Sequence, residues 1–262
     1  MLTRLRRPAL ALALLCLGAL SAAGQTPSLT IAAASDLQAA LPVIAAQFEK
    51  DTGQKVALTF GSSGNFFTQI RNGAPFDLFF SADSEYPRKL ERAGLTVPGS
   101  LYEYATGRIV LWTINGSGVD VRQGLRSVAD PKVRRIAIAN PEHAPYGRAA
   151  VAALRHEQIY DQVREKLVLG ENISQAAQFA QSGNAQVGIV ALSLALAPAM
   201  KSSGSYTEIP ESFHPSIEQA VVVLKRSRQA ALAQRFIDAL RKPENVRTLQ
   251  SFGFGVPAQA AR

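Results

Sequence analysis

Cysteine and histidine are scarce in this chain of 262 residues. Its one cysteine excludes a disulfide framework, and its three histidines leave little material for a histidine-based metal centre. Beyond the first residues, no apolar run approaches the roughly 20 residues that a membrane-crossing helix needs. With 47% hydrophobic and 18% charged residues the chain is too apolar to be disordered, and its length suits one to two domains with a sizeable core.

Residues 1–23 have the pattern of a secretory signal peptide. Arg4, Arg6 and Arg7 precede an apolar run from Pro8 to Leu20, and small residues follow at Ser21-Ala22-Ala23. Cleavage after residue 23 would remove the cysteine, so the exported chain would lack thiolate catalysis and thiolate metal sites. It would also lower the formal charge from +8 to +5, because 25 basic residues then face 20 acidic ones. We therefore expect a soluble, exported protein.

Short apolar strands alternate with amphipathic helices along the rest of the chain. Strands are predicted at Leu29–Ala34, 56–60, Asp77–Ser81, Arg108–Ile114, Arg135–Ala139, Gln186–Leu192 and Gln219–Leu224. Helices are predicted at 37–53, Phe66–Arg71, Tyr146–His156, Ser174–Ser182 and Gln229–Leu240. This alternation predicts an α/β fold with a parallel sheet. Within the first helix, Pro42 predicts a kink, and Gly53 is expected to end the helix.

Small polar loops follow several of the predicted strands, each at the start of a helix. Ser35 and Ser63 stand in the first two loops, and segments 141–147 and 170–174 form two more. Ligands bind at this edge of a parallel sheet, where helix starts offer unpaired N–H groups and partial positive charge to an anion. One serine before a helix is usually an N-cap, but four such loops favour an oxyanion site. Since a carboxylate would repel a dianion, we expect the Asp36 side chain to point away from the pocket.

These loops carry a resemblance to a known family. The matching segments are Ala32-Ala33-Ala34-Ser35, Phe60-Gly61-Ser62-Ser63-Gly64, 73–79, 140–147 and Phe252-Gly253-Phe254. From Leu29 to its end the chain resembles the periplasmic molybdate-binding proteins of bacterial ABC importers. The resemblance implies a two-lobed clamshell of the type II periplasmic-binding-protein fold, in which each lobe is a mostly parallel sheet flanked by helices.

The resemblance also implies how the chain is divided and with what it interacts. Residues 24–105 and 213–262 would form the first lobe, and residues 106–212 the second. The lobes would close around molybdate, and tungstate would bind as well because it is nearly the same size. The expected partner is the membrane permease of an ABC importer. No cofactor is expected, and a monomer is expected because both lobes must be free to move.

Four ligand contacts are implied by the resemblance. Ser35 and Ser63 would contact the oxyanion from the first lobe, and Tyr146 and Ile173 from the second, Ile173 through its backbone N–H. Molybdenum would be held only as the oxyanion through these four residues, with no charged side chain. Relatives often have a tyrosine after a Gly-Ile-Val strand, where this chain has Ala191. The Tyr146 hydroxyl could replace that missing donor.

The sequence leaves two alternatives to molybdate binding open. Phosphate at neutral pH carries a proton that a pocket of donors cannot accept, and sulfate is smaller than molybdate. A receptor for sulfate, thiosulfate or phosphate nevertheless stays an alternative, with Asp36 as the candidate acceptor for the phosphate proton. A secreted hydrolase is the other alternative. His143 could act as a base, but the sequence has no G-x-S-x-G elbow, the 61–64 loop lacks the lysine of a phosphate-binding loop, and His156 has no second histidine four residues on. We therefore predict that the chain is not an enzyme.

The basic residues do not favour a nucleic-acid partner. Two loose clusters, within 122–135 and 225–228, lack the interleaved aromatic residues of a nucleic-acid face and are interpreted as solvated surface. Trp112, the one tryptophan, is interpreted as a core residue.

Overall fold

Residues 28–256 are described by the computed structural model of this protein, and the predicted signal peptide, residues 1–23, lies outside them. The described chain forms ten strands and ten α-helices. The strands are β1 (Leu29–Ala34), β2 (Val56–Gly61), β3 (Leu78–Ser81), β4 (Tyr102–Gly107), β5 (Ile109–Ile114), β6 (Ile136–Ala139), β7 (Leu167–Gly170), β8 (Val187–Ala191), β9 (Gly204–Glu208) and β10 (Ile217–Val223). The helices are α1 (Leu41–Thr52), α2 (Ser63–Arg71), α3 (Glu85–Arg92), α4 (Pro145–His156), α5 (Tyr160–Val163), α6 (Ile173–Gln181), α7 (Leu192–Ala195), α8 (Pro198–Ser203), α9 (Ala230–Leu240) and α10 (Pro243–Ser251).

The strands form two sheets of five strands each. Their orders are β2-β1-β3-β10-β4 and β7-β6-β8-β5-β9. In the first sheet β10 runs antiparallel to both of its neighbours, and in the second sheet β5 does the same. The other four strands of each sheet share one direction. The predicted α/β class is therefore confirmed, with each sheet mixed by one reversed strand.

The chain passes between the two sheets twice. It leaves the first sheet after Gly107 and begins β5 of the second at Ile109. It returns through segment 209–216, between β9 and β10. The second sheet is thus built from one continuous stretch of chain, and the first from the two stretches that flank it.

Helices cover both faces of the first sheet because its strands are apolar on both sides. Ile31 and Ala33 of β1 pack towards α1, α9 and α10, whereas Ala32 packs on the opposite face, towards α2 and α3. Successive side chains of a strand point to opposite faces, so an uninterrupted apolar strand fits a sheet buried on both sides. In the second lobe Trp112 of β5 is fully buried, which confirms its interpretation as a core residue.

The kink predicted at Pro42 is wrong. A short 3-10 helix, Ser35–Gln38, precedes α1, and Pro42 lies in the first turn of α1. A proline there removes an N–H that has no partner in the helix, so it costs no hydrogen bond. At the other end Gly53 closes the helix in the left-handed conformation, φ +71°, as predicted. No helix within residues 28–256 has the length and apolarity to cross a membrane.

Candidate functional site

The four loops singled out from the sequence meet around one small cavity between the two sheets. The cavity is small, about 10 Å³, which is about the space that one water molecule needs. Its lining comes from the ends of β1, β2 and β3 and from the starts of α2, α4 and α6. The lining residues are Ala34, Ser35, Asp36, Gly61, Ser62, Ser63, Ala82, Ala144, Pro145, Tyr146 and Ile173. The structure therefore brings together all four residues that the resemblance implied as ligand contacts.

Ser63 begins α2 and offers a hydroxyl donor to the cavity. Its neighbour Ser62 is the N-cap, whose Oγ accepts from the N–H of Asn65 at 3.3 Å. Because Ser62 caps the helix, the Ser63 side chain is not needed as the N-cap. Its Oγ accepts instead from the N–H of Ala82 at 2.9 Å, which fixes its position and leaves its proton to be donated.

Ser35 follows β1 and contacts the second lobe directly. Its hydroxyl donates to Oδ1 of Asn172 at 3.1 Å and accepts from the N–H of Ser174 at 3.2 Å. Both partners belong to the start of α6, where Asn172 is also the N-cap. Ser35 thus links the two lobes at the wall of the cavity.

Backbone donors line the cavity from three helix starts. Among the described residues, the N–H groups of Ser63, Tyr146 and Ile173 have no hydrogen-bond partner. Each belongs to the first turn of its helix, where N–H groups lack intrahelical acceptors and the helix dipole is positive. These three helices, α2, α4 and α6, have nine residues or more. Their starts together suit a compact anion.

Asp36 lines the cavity, and its side chain contacts residues of both lobes. Its side chain is fully buried beside the cavity, and Oδ2 accepts from the Tyr146 hydroxyl at 3.0 Å and from Nε2 of Gln219 at 2.6 Å. Gln219 in turn accepts from the Tyr104 hydroxyl at 2.7 Å. Burial raises the pKa of the Asp36 carboxyl from 3.8 to about 6, while the hydrogen bonds from Gln219 and Tyr146 oppose that rise. These long-range partners fix the position of the carboxyl.

Further contacts hold the lobes together around the cavity. Nδ1 of His143 lies 2.8 Å from Oγ of Ser62, and Nδ2 of Asn65 donates to Glu171 at 2.5 Å. At the far side Arg148 of α4 pairs with Asp83 at 2.6 Å. The Ser62 hydroxyl is buried and caps α2, so its contact with His143 is structural rather than a nucleophile–base pair. The structure thus describes a closed arrangement of the lobes.

Two larger cavities are chemically unsuited to a dianion. One, of about 320 Å³, contains the carboxylates of Asp83, Glu85 and Glu218 beside the single cation of Arg148. The other, of about 600 Å³, is lined mainly by apolar side chains, among them Val43, and by no charged group. Within residues 28–256 no group of three His, Cys, Asp or Glu residues is placed to hold a metal ion.

Three polar residues of this region were missed from the sequence. Gln219 and Tyr104 lie in strands of the first sheet and are buried, and Asn172 caps α6. A signal for Gln219 exists, since it is a polar residue at a buried position of the mainly apolar strand β10. Asn172 stands in one of the predicted ligand loops, where the N-cap position before a helix could have marked it.

Comparison with known proteins places the chain in a family. The family model described as bacterial extracellular solute-binding protein matches residues 29–255. The molybdate-binding protein ModA of Azotobacter vinelandii is 38% identical over 239 residues, which cover 91% of this chain and 94% of that protein. The corresponding protein of Rhodobacter capsulatus is 39% identical over 211 residues, covering 80% and 81%.

Solved structures agree with the sequence comparison. The periplasmic molybdate-binding protein of Azotobacter vinelandii superposes with a TM-score of 0.83 at 35% identity, covering 88% of this chain and all of that one. The sulfate-binding protein SubI of Mycobacterium tuberculosis reaches a TM-score of 0.69 at 16% identity, covering 89% and 88%, and this likeness shows the fold alone. The sequence and structural matches together show that the chain belongs to the periplasmic molybdate-binding proteins of the bacterial extracellular solute-binding family.

Proposed function

We propose that this protein is an extracytoplasmic receptor that binds molybdate, and tungstate with it, between its two lobes. The observation that supports this most is the convergence of Ser35, Ser63, Tyr146 and Ile173 on one small cavity. Two of the four come from each lobe. The relatives named above are molybdate-binding proteins, and their closeness in sequence favours the same ligand here.

The donors in the cavity suit a fully deprotonated tetrahedral oxyanion. Such an anion needs hydrogen-bond donors only, and preorganised N–H and O–H groups meet it at fixed distances. No lysine or arginine lines this cavity among the described residues. The anion would therefore be held by dipoles and hydrogen bonds, as phosphate and sulfate are held at helix starts in other proteins.

Size is the property that separates molybdate from sulfate. Sulfate has the same charge and shape with shorter bonds, so donors placed for molybdate would stand too far from its oxygens. Tungstate is nearly the same size as molybdate, and this cavity offers no contact that would separate the two. We propose that both bind with similar affinity.

Ligand binding would be coupled to transport. Residues 24–105 with 213–262 and residues 106–212 would move as two lobes, and the ligand would stabilise the closed state by its higher affinity for it. The closed protein would deliver the oxyanion to the permease of an ABC importer. We propose export with removal of residues 1–23, a monomeric state, and no cofactor.

Isothermal titration with a panel of oxyanions tests the proposal. Molybdate and tungstate are expected to bind tightly at neutral pH, with sulfate, thiosulfate and phosphate weaker by about 100-fold or more, since each lost or misplaced charge-assisted hydrogen bond costs about 1.5–3 kcal/mol. Comparable affinity for sulfate would contradict the size argument. Tight phosphate binding with no molybdate binding would overturn the proposed ligand.

Tyr146→Phe tests whether the tyrosine of α4 supplies the donor that Ala191 lacks. The variant removes one hydroxyl from the cavity while keeping the buried ring. We expect molybdate affinity to fall by about tenfold to 100-fold, measured by titration, because a hydrogen bond to a charged group contributes about 1.5–3 kcal/mol. Tyr160→Phe, on a neighbouring helix and outside the cavity, is the matched control. Unchanged affinity in Tyr146→Phe would show that the hydroxyl does not contact the anion.

A further inference from the structure

Asp36 is the one charged residue that lines the ligand cavity within residues 28–256. Its carboxyl group has two different oxygens. Oδ2 accepts from Tyr146 and Gln219, whereas Oδ1 is buried and accepts no hydrogen bond of good geometry from the described chain. The backbone N–H groups of Asp36 and Leu37 also interact with the carboxyl and lower its pKa. A buried carboxyl oxygen without a donor is rare in folded proteins, because leaving such a group unsatisfied is destabilising. The unpartnered Oδ1 therefore indicates a role for Asp36 in the liganded site.

The surroundings of Asp36 contain no compensating positive charge. Its side chain forms no ion pair with any described residue. The titratable groups that face it are the hydroxyls of Tyr104 and Tyr146, and burial raises the pKa of both well above 10.0, so both stay neutral. The strands and helices packed on the 3-10 helix are β1, β2, α1, α6 and α7. Of these only α1 carries charged side chains, at 49–51, in its last turn and away from Asp36. The partners of the carboxyl lie on α4 and β10. On these elements Arg148 pairs with Asp83, and Glu218 is exposed.

A dianion in this cavity would stand beside the Asp36 carboxyl. Burial and a nearby negative charge both disfavour a carboxylate, and their effects add. Even before an anion enters, burial raises the pKa of Asp36 to about 6. At pH 8 the Asp36 carboxyl of the unliganded protein would still be ionised. The simplest way to accommodate both groups is to neutralise the carboxyl.

We propose that the oxyanion binds together with one proton, which resides on Oδ1 of Asp36 and makes this carboxyl a hydrogen-bond donor in the closed site. The inference rests on the proposed function and adds to it the charge state of the bound complex. The balance is protein plus dianion plus one proton from solvent, which leaves the site with two negative charges instead of the three of a carboxylate beside a dianion. No covalent bond to the anion is made or broken.

Protonation would also release the hydroxyl of Tyr146. A carboxylate at Asp36 is a strong acceptor and holds the Tyr146 proton at Oδ2, 3.0 Å away. A neutral carboxyl accepts less strongly, so the hydroxyl can turn its proton towards the anion while still accepting from Nε2 of Gln219 at 3.0 Å. One proton would thus provide two donors to the ligand, on Asp36 and on Tyr146.

Titration calorimetry of the full-length exported protein with sodium molybdate tests the inference. Binding is measured at about pH 8 in several buffers of different ionisation enthalpy, which gives the number of protons exchanged. We expect uptake of about one proton per molybdate. The Kd is expected to rise about tenfold per pH unit between about pH 7 and about pH 9, because binding consumes one proton and the proton concentration falls tenfold with each unit. Binding without proton uptake and with a flat pH profile would overturn the inference and leave the proposed function intact.

Asp36→Asn assigns the proton to this residue. The amide is uncharged at every pH, so the variant should bind molybdate with no proton uptake and a pH-independent Kd, and more tightly than the wild type at about pH 9. Glu218→Gln removes an exposed carboxylate next to Gln219 on β10 and should keep the wild-type uptake. Full uptake in Asp36→Asn would place the proton elsewhere and overturn the inference. If that variant fails to fold, the number of protons taken up by the wild type still decides whether molybdate binds together with a proton. A wild type that binds no molybdate would overturn the proposed function instead.

Discussion

Gly64→Ala is expected to weaken molybdate binding by about 100-fold while leaving each lobe folded. Gly64 lies in the first turn of α2, on the first lobe, and its N–H donates to the backbone oxygen of His143 on the second lobe at 2.9 Å. A Cβ at position 64 would lie 2.7 Å from that oxygen and 2.8 Å from Cβ of His143. Real Cβ atoms do not approach so closely, so the methyl group would hold the lobes apart.

The physical reason is that the clash exists only when the lobes are closed. Overpacking of a tight contact typically costs about 1–3 kcal/mol, and this cost would fall on the closed state alone. If the ligand stabilises the closed state, as proposed above, the cost appears as lost affinity. Titration calorimetry measures that loss. Small-angle scattering with molybdate present should show a larger radius of gyration for the variant than for the wild type.

Two controls separate the clash between the lobes from other effects of the added methyl group. Gly255→Ala adds a Cβ that has only an ordinary contact, 3.4 Å from Thr106, and should bind like the wild type. The Cβ at position 64 also lies 2.7 Å from the Tyr86 hydroxyl, within the first lobe. The double variant Gly64→Ala/Tyr86→Phe removes that second clash. Recovery of wild-type affinity in the double variant would show that the lobes do not meet at Gly64 as described.

A long apolar run could be predicted as a strand from the sequence, whereas an exposed edge strand could not. Strand β1 was predicted with its observed bounds, Leu29–Ala34, because its run of apolar residues is buried on both faces. Strand β9, Gly204–Glu208, was missed. It is an edge strand with exposed and polar side chains, defined by hydrogen bonds to β5 rather than by burial. Such pairing leaves little trace in the residues themselves.

In the candidate site, features set by local sequence could be predicted, and features set by long-range contacts could not. The positions of Ser35 and Ser63 follow from local chemistry, because a serine between a strand end and a helix start is placed by those two elements alone. The orientation of Asp36 depends on Gln219 and Tyr146, which are 183 and 110 residues away along the chain. Only the folded arrangement brings these partners together, so the hydrogen bonds of this carboxyl could not be predicted from the sequence.

Asp36→Asn is also expected to stabilise the unliganded protein at pH 8 and to have little such effect at pH 4. The pKa of Asp36 is raised in the folded state, from 3.8 to about 6. Below pH 4 both the folded and the unfolded chain carry the proton. Between about pH 4 and pH 6 only the folded chain keeps it, so the stability that protonation supports is lost as the pH rises. Above pH 6 the folded protein contains a buried carboxylate that the variant does not have.

The size of this effect follows from the shift in pKa. Each unit corresponds to about 1.4 kcal/mol, so the advantage of Asp36→Asn at pH 8 over that at pH 4 should be on the order of 3 kcal/mol. For a chain of this length that corresponds to a rise in Tm of about 6–12 °C relative to the wild type, measured by thermal unfolding without ligand. Comparing the two pH values cancels any effect of the amide that does not depend on pH. Glu218→Gln should show no such pH-dependent gain. An equal Tm difference at pH 4 and pH 8 would mean that Asp36 is not held as a buried, ionisable carboxyl in the folded protein.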